Sequence, residues 1–278
     1  MFVRDLWSTG DEQALAECRD ALRREDIVDA LLAIEDAPPA QRTACRRQID
    51  DWAGAAGALA QSGGPEVQAA VLRHVLCERG GLKGDPERYY EPENCYLSAV
   101  VRRRIGMPIL LATVWMAVGR AAGIRVQGVG LPGHFIARIG EDPALLVDPF
   151  SAGRPLTTAH CAALVKRLTD GQLAWRDEYL SPTPLDAIVL RVLRNVVHCH
   201  QRRDEGVPSY RAARLAAELF GAEPAAHLLH ARAAEQAGLA PLAIGIYQTV
   251  AERFAGCSEA HEALDCAARL AQDAPTIH

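Results

Sequence analysis

The residue types that could do chemistry lie close together in the middle of the chain. His134 follows the turn sequence Leu131-Pro-Gly and begins a short β-like run, and Asp148 ends the β-like run that comes next. Adjacent antiparallel strands would bring the imidazole and the carboxylate within hydrogen-bond distance. A carboxylate that orients a histidine base belongs to the Cys-His-Asp arrangement in which a thiolate attacks a carbonyl carbon. The sequence therefore predicts a base with its orienting partner, and a nucleophile has to be sought upstream.

One helix and three strands are expected to position this pair. Pro108 suits the first turn of a helix that runs to about Ala122, and Gly123 is typical of the residue that follows a helix. Apolar residues cover most of this helix, so we expect it to be buried. Short breaks of Gly, Pro and Asp separate the β-like runs and indicate a small antiparallel meander. The runs are Arg125–Val129, His134–Ile139 and Ala144–Val147.

Residues around these elements are candidates for a binding cleft. Asn94 is placed to cap a helix over Cys95–Arg104, with a polar role in lining the cleft as the alternative. Tyr90 lies in a loop and is expected to pack on the core or on the rim of a cleft. Gly133 permits a close backbone approach, which suits a tight strand entry or a peptide cleft. The basic run 102–104 is expected to be a solvated helix face.

The chain is expected to be mostly helical, with an α+β middle. The periodicity predicts an N-terminal helical region (1–82), an α+β core (83–180) and a C-terminal helical region (181–278). Phe220 and Phe254 each end a predicted helix and are 34 residues apart, which is the tetratricopeptide period. A plain helical bundle is the alternative for this last region.

Composition excludes several classes of function. The 278 residues carry a net charge of −5, so we expect no general attraction to nucleic acid. The longest apolar run, 107–118, is too short to cross a bilayer, and no signal peptide is recognised. Eight cysteines are scattered singly without a Cys-x-x-Cys pair, so we expect reduced thiols and no metal site or other cofactor. We expect a soluble cytoplasmic protein.

Four sequence blocks in fixed order resemble a known family. They are Tyr89-Tyr-Glu-Pro-Glu-Asn94-Cys-Tyr, Arg103-Arg-Ile-Gly106-Met-Pro108, Gly128-Val-Gly-Leu-Pro-Gly133-His134-Phe and Val147-Asp148-Pro-Phe150. Over residues 84–156 the chain resembles bacterial transglutaminase-like proteins of the SirB N-terminal-domain type, which often carry C-terminal tetratricopeptide-like repeats. The resemblance implies a transglutaminase or papain-like core, in which a central helix packs on an antiparallel sheet.

The resemblance also implies roles for individual residues. In the wider superfamily a cysteine at the start of the central helix is the nucleophile, a histidine on the next strand is the base and an aspartate orients it. His134 and Asp148 match the base and its partner, whereas Pro108 stands at the cysteine position and offers no nucleophile. Cys95, on the preceding helix, is the other thiol considered.

Three hypotheses follow. In the first, the domain is a pseudoenzyme that binds a protein or peptide partner or acts as a regulatory module. In the second, it is a hydrolase or acyltransferase that uses His134 and Asp148 with water or with Cys95. In the third, it is a structural scaffold that acts through its C-terminal helices.

Overall fold

The fold is taken from a computed structural model that describes residues 7–35, 37–60, 63–141 and 143–273. The described residues fall into two compact units. One unit is formed by residues 21–189. The other, which we call the helical unit, combines residues up to 20 with residues from 190 onward.

The unit of residues 21–189 has the α+β character expected from the sequence. A parallel pair joins β1 (Lys83–Gly84) to β2 (Ile105–Gly106). A four-stranded antiparallel meander has the order β3-β4-β5-β6. The helices are α2 (Ile27–Ile34), α3 (Pro39–Leu59), α4 (Pro65–Arg73), α5 (Leu97–Arg103), α6 (Pro108–Ala121) and α7 (Thr158–Leu168). The meander strands are β3 (Val126–Leu131), β4 (His134–Ile139), β5 (Leu145–Asp148) and β6 (Arg154–Leu156).

The central helix α6 is confirmed, with the predicted ends. Pro108 is its first residue, and Gly123 follows its cap with a φ of +73°. Of its residues, all but Met116, Arg120 and Ala121 are buried. The helix contacts α3 as well as β3 and β4. This apolar helix is therefore the core element on which the sheet is built.

Two local predictions in this unit are wrong. The fourth strand, β6, was not expected, and α5 begins at Leu97 with Tyr96 as its N-cap, so Asn94 does not cap it. The basic run is also more than a solvated face. Arg103 donates to the Asn94 side chain, while Arg104 donates to Gln48 and stacks on Trp52. For Asn94 and for the basic run, partners elsewhere in the fold have replaced the expected helix cap and solvent.

The helical unit contains consecutive helices that contact one another. Gly206 and Ala240, which begin α9 and α11, are 34 residues apart, and so are Pro224 and Ser258, which begin α10 and α12. Buried alanines and two buried tyrosines make up much of its core. The helices are α8 (Leu185–Gln201), of which residues from 190 onward belong to this unit, α9 (Gly206–Leu219), α10 (Pro224–Gln236), α11 (Ala240–Arg253) and α12 (Ser258–Asp273).

The first helix, α1 (Thr9–Arg23), contributes most of its length to the helical unit. Arg211 of α9 forms an ion pair with Asp11, and Arg214 stacks on Trp7 at 4.4 Å. Arg19 donates to the backbone oxygen of Glu218. The N-terminal residues are thus fixed to α9, about 200 positions later in the chain.

The cysteines form no disulfide in the structure. All eight are free thiols, and five of them are buried. Among the residues that the structure describes, no helix has the length and apolar character needed to cross a membrane.

Candidate functional site

His134 is positioned by the tight turn between β3 and β4. It is the first residue of β4 and pairs with Leu131, the last residue of β3. Gly133 has a φ of +75°, a conformation that side-chain-bearing residues rarely adopt. Only Pro132 and Gly133 separate the strands, so this turn fixes the backbone position of His134 at the end of the sheet.

The structure brings His134 and Asp148 together. Ala137 of β4 pairs with Val147 of β5, so the two strands are direct neighbours. His134 Nε2 lies 3.0 Å from Asp148 Oδ1, and the two side chains expose 9% and 5% of their surface. The pair is therefore an enclosed hydrogen bond rather than an exposed contact.

Asp148 is held in its ionised form by three donors. Besides His134, the backbone N–H of Phe150 donates to Oδ1 at 3.0 Å and the Ser151 hydroxyl donates to Oδ2 at 2.8 Å. Burial opposes ionisation, but the hydrogen bonds outweigh it and hold the pKa of Asp148 below its usual range. Asp148 is also the N-cap of a 3₁₀ turn, Pro149–Ser151.

The charge of Asp148 fixes the orientation of the histidine. An ionised carboxylate only accepts hydrogen bonds, so Nε2 of His134 carries the hydrogen directed at it. In a neutral imidazole, Nδ1 is then the nitrogen with the lone pair. This is the state in which a histidine can act as a general base through Nδ1.

A series of contacts connects this pair to the start of α6. The ring of Phe150 lies edge-on to His134, with centroids 6.0 Å apart. A Cβ atom at Gly84 would overlap the Phe150 ring, so only glycine allows this close approach. Gly84 pairs with Gly106, which lies two residues before Pro108. The sheet end that carries His134 is thereby linked to the helix start.

Pro108 and Cys95 both lie at that helix start. Pro108 is buried at the first position of α6, and no side chain caps the helix there. Cys95 Sγ lies 3.3 Å from Sδ of Met107, the residue before Pro108. The Asn94 carbonyl accepts from the Met107 N–H at 3.0 Å, which fastens the 3₁₀ turn 92–95 to α6. Cys95 is thus close to the helix start in space but is 1% exposed.

A second thiol near the pair is Cys161 of α7. Burial raises its pKa to about 11, and the charge of Asp148 adds to that effect. A thiol with such a pKa stays protonated at neutral pH and is a poor nucleophile.

Asn94 and Tyr90 have different surroundings. The Asn94 side chain is buried, donates to the Arg88 carbonyl at 2.8 Å and accepts from Arg103 at 3.1 Å. Its polar atoms therefore tie the loop to α5. Tyr90 is 41% exposed and lies edge-on to Tyr89 at 5.1 Å.

An aromatic series leads from the surface to the pair. Tyr89 contacts Tyr90 on one side and Phe150 at 5.9 Å on the other, and Phe150 contacts His134. Sequence reasoning missed Phe150 and Ser151 as parts of the site. The signal was present, because an aspartate followed by a serine three residues later is typical of a side-chain-capped turn.

A metal centre is not among the features of this site. Within residues 7–35, 37–60, 63–141 and 143–273, no cluster of three or more histidines, cysteines or acids could hold a metal ion.

A buried central helix that packs on a meander carrying a His-Asp pair is the arrangement of one class of protein. A family model described as the transglutaminase-like superfamily matches residues 43–194, more than half of the chain, and the chain belongs to this family.

Particular relatives are bacterial and eukaryotic. The chain is 38% identical over 136 residues to a UPF0162 protein of Xylella fastidiosa strain 9a5c, covering 48% of each chain. It is 30% identical over 207 residues to UPF0162 protein PA3419 of Pseudomonas aeruginosa, covering 73% of this chain and 76% of the relative. It is 32% identical over 112 residues to F-box only protein 21 of Mus musculus, covering 36% of this chain and 18% of the relative.

The chain spans about half the length of the Xylella relatives it matches: 48% of the strain 9a5c protein and 59% of a second UPF0162 protein, from strain Temecula1 / ATCC 700964. No solved structure matches the chain.

Proposed function

We propose that the transglutaminase-like unit is a non-catalytic module that binds a protein or peptide segment. The observation that carries the proposal is Pro108 at the first position of α6, in a unit that keeps an enclosed His134–Asp148 pair. Proline supplies no group that could attack a carbonyl carbon. Loss of the nucleophile from such a unit lowers kcat by ~10⁶ where it has been measured. In this proposal Pro108 and Gly133 belong to the floor of the binding cleft.

The aromatic series supports a binding role. Tyr90 is the exposed end of the series that leads to His134. Exposed tyrosines are favourable contacts for a partner, because they bring a large apolar face and a hydroxyl with little loss of entropy. We place Tyr90 on the rim of the binding surface and Asn94 behind it as a support.

We also propose a finer classification. The unit is assigned to the SirB N-terminal-domain type, and α8–α12 are assigned to tetratricopeptide-like repeats. The 34-residue spacing of the helix starts supports the repeats. Phe220 and Phe254 support them too, because each is a C-cap whose N–H donates four residues back.

The catalytic arm of the test uses the full chain. Peptide anilides, esters, and a glutamine peptide with a labelled amine are supplied as substrates. We expect no turnover above that of buffer for the natural protein and for His134→Ala. Turnover that disappears in His134→Ala contradicts the proposal.

The binding arm uses a photoreactive amino acid in place of Tyr90 in growing bacterial cells. We expect a discrete crosslinked protein, which is absent when the photoreactive group replaces Leu59, an exposed residue at the end of α3. The crosslink should also weaken in Asp148→Asn. A crosslink that is absent at Tyr90 counts against binding. If His134→Ala lowers stability and leaves the crosslink unchanged, the scaffold hypothesis is favoured.

A hydrolase or acyltransferase that uses Cys95 is the second candidate, because its sulfur lies against the residue that precedes Pro108. This version predicts that Cys95 reacts with iodoacetamide before the other thiols and that Cys95→Ser removes any turnover. Mass spectrometry that finds Cys95 unmodified while Cys257 is alkylated excludes it.

A further inference from the structure

The loop that carries the exposed Tyr90 has more acids than bases. Residues 83–94 contain four acids and two cations, which gives a net charge of −2. Glu87 and Glu93 are exposed, and within the part of the chain that the structure describes their carboxylates form no hydrogen bond or ion pair. One precedes Tyr90 by three residues and the other follows it by three. The tyrosine is therefore flanked in the sequence by two solvated carboxylates.

The arginines close to this loop are engaged by other groups. Arg88 forms an ion pair with Asp85 at 3.3 Å, and the same carboxylate accepts the Arg88 backbone N–H at 3.0 Å. Arg103 of α5 donates to the Asn94 side chain at 3.1 Å. With the Arg88–Asp85 pair set aside, three carboxylates of residues 83–94 remain against one ammonium, that of Lys83. The surplus of negative charge is thus not cancelled within the loop.

Backbone and side-chain bonds hold the loop in shape. The Arg88 carbonyl accepts from the Glu91 N–H at 3.2 Å and from the Asn94 side chain at 2.8 Å. The Asn94 N–H donates to the Glu91 carbonyl at 2.9 Å. Tyr89 contacts Phe150, with ring centroids 5.9 Å apart. A partner therefore meets a preformed surface, and little affinity is lost to ordering the loop.

We propose that the Tyr90 surface binds a peptide segment that carries a lysine or an arginine. The cationic head group lies on the Tyr90 ring, because the face of an aromatic ring attracts a cation. Glu87 and Glu93 supply the opposite charge and favour a basic segment over an acidic one. The inference rests on the proposed function, since it names the chemistry of the segment that the Tyr90 surface binds.

The experiment selects ligands without assuming their sequence. A display library of random peptides is selected on the full chain, and the recovered peptides are tested against Tyr90→Leu. We expect the peptides whose binding weakens in Tyr90→Leu to be enriched in Lys and Arg. A synthetic peptide from this set should bind Tyr90→Phe about as tightly as the natural protein, because the aromatic ring is kept.

The same peptide should bind the double variant Glu87→Gln, Glu93→Gln about three- to tenfold more weakly, which is the factor that two exposed charge contacts give. Added salt should weaken its binding to the natural protein, because salt screens exposed charges. The double variant Glu66→Gln, Glu178→Gln is the matched control. Both of its positions are exposed acids of the unit of residues 21–189, and the charge change is identical. It should bind the peptide as the natural protein does.

The outcomes separate this inference from the proposed function. If Tyr90-dependent peptides are recovered but are not enriched in Lys and Arg, the inference is overturned and the proposed function stands. The same holds if Glu87→Gln, Glu93→Gln binds the peptide as tightly as the natural protein. Arginine amide that competes at the peptide's own concentration also overturns the inference, since the surface would then take small cations. If no recovered peptide depends on Tyr90, both fail.

Discussion

Asp148 is the residue that decides the state of the candidate site. It receives hydrogen bonds from an imidazole, a hydroxyl and a backbone N–H, and they keep it ionised although it is enclosed. An enclosed carboxylate without such donors would be strongly unfavourable. The same three bonds connect β4, β5 and the turn after β5. These bonds therefore fix the two strands and the turn relative to one another.

We therefore expect Asp148→Asn to destabilise the unit of residues 21–189. The amide keeps the shape of the carboxylate but directs an NH₂ group at one of the donors. The free energy of unfolding should fall by about 1–3 kcal/mol in urea titrations. Glu93→Gln is the control, because Glu93 is exposed, and it should change stability by less than ~0.5 kcal/mol. Equal effects of the two substitutions would show that the bonds to Asp148 contribute little.

His230 of α10 is expected to make the stability of the helical unit sensitive to acid. Its Nε2 is buried without a hydrogen-bond partner among the described residues, and burial lowers its pKa to about 3, helped by the charges of Arg214 and His227. The unfolded chain therefore binds a proton more readily than the folded one below pH ~6.5. The stability that depends on a neutral His230 is therefore fully present above that pH and decreases as the pH falls toward 3.

The loss should be about 2 kcal/mol between pH 7 and pH 5. Hydrogen exchange of peptides from α9–α12, followed by mass spectrometry, measures it locally. His230→Leu should reduce this pH dependence, while His261→Gln, an exposed histidine of the same helical unit, should retain it. A slope that is unchanged in His230→Leu would assign the acid sensitivity to other groups.

At the scale of elements, α5 is capped from a distance. Glu35, the C-cap of α2, accepts from the Ser98 N–H at 3.1 Å and from the Ser98 hydroxyl at 2.9 Å. The short helix α5 thus begins where another helix ends. Because α5 follows directly on the turn that carries Asn94 and Cys95, this cap also positions one side of the candidate site.

The burial of Glu35 makes the stability of the unit of residues 21–189 fall as the pH rises toward 8. Burial raises the pKa of Glu35 to about 7, against the hydrogen bonds from Ser98. Since the folded pKa lies above the usual value, the stabilisation is complete below pH ~4 and is lost as the pH rises through about 7. Between pH 5 and pH 8 the natural protein should lose about 2–3 kcal/mol of unfolding free energy. Glu35→Gln, which keeps an acceptor and carries no charge, should lose less; a parallel decline of both proteins refutes the assignment.

In the molecule as a whole, helices far apart in the sequence are joined by hydrogen bonds. Within the helical unit, α1 is bonded in this way to α9. Features that depend on neighbouring residues could be predicted from the sequence, whereas features that depend on contacts between distant residues could not. The start of α6 at Pro108 and its end before Gly123 follow from local rules. The run that forms β4 was likewise predicted from the Gly and Pro breaks around it.

The wrong or missing predictions concern side chains whose partners lie outside the local sequence pattern. Asn94 has the local chemistry of a helix cap, yet Arg88 and Arg103 take its polar atoms. Glu35 reaches Ser98 across 63 positions, and no periodicity marks such a partner. The His134–Asp148 pair lies between these cases. Its two strands are consecutive, so a strand prediction was enough to bring the side chains together.

The ion pair between α1 and α9 is expected to stabilise the helical unit weakly. Arg211 donates to Asp11 at 2.8 and 2.7 Å, and these bonds, after the opposing effect of burial, hold the pKa of Asp11 below its usual range. Arg211 is part-exposed, so water screens the pair.

A double-mutant cycle of Asp11→Asn and Arg211→Gln should give a coupling energy of about 0.5–1 kcal/mol at low salt, and less at 1 M salt. Arg269→Gln paired with Asp11→Asn should show no coupling, since the carboxylate that Arg269 pairs with is that of Glu235. Additive effects of Asp11→Asn and Arg211→Gln would mean that α1 is held by its apolar face, on which Ala14 and Cys18 are buried, and not by this ion pair.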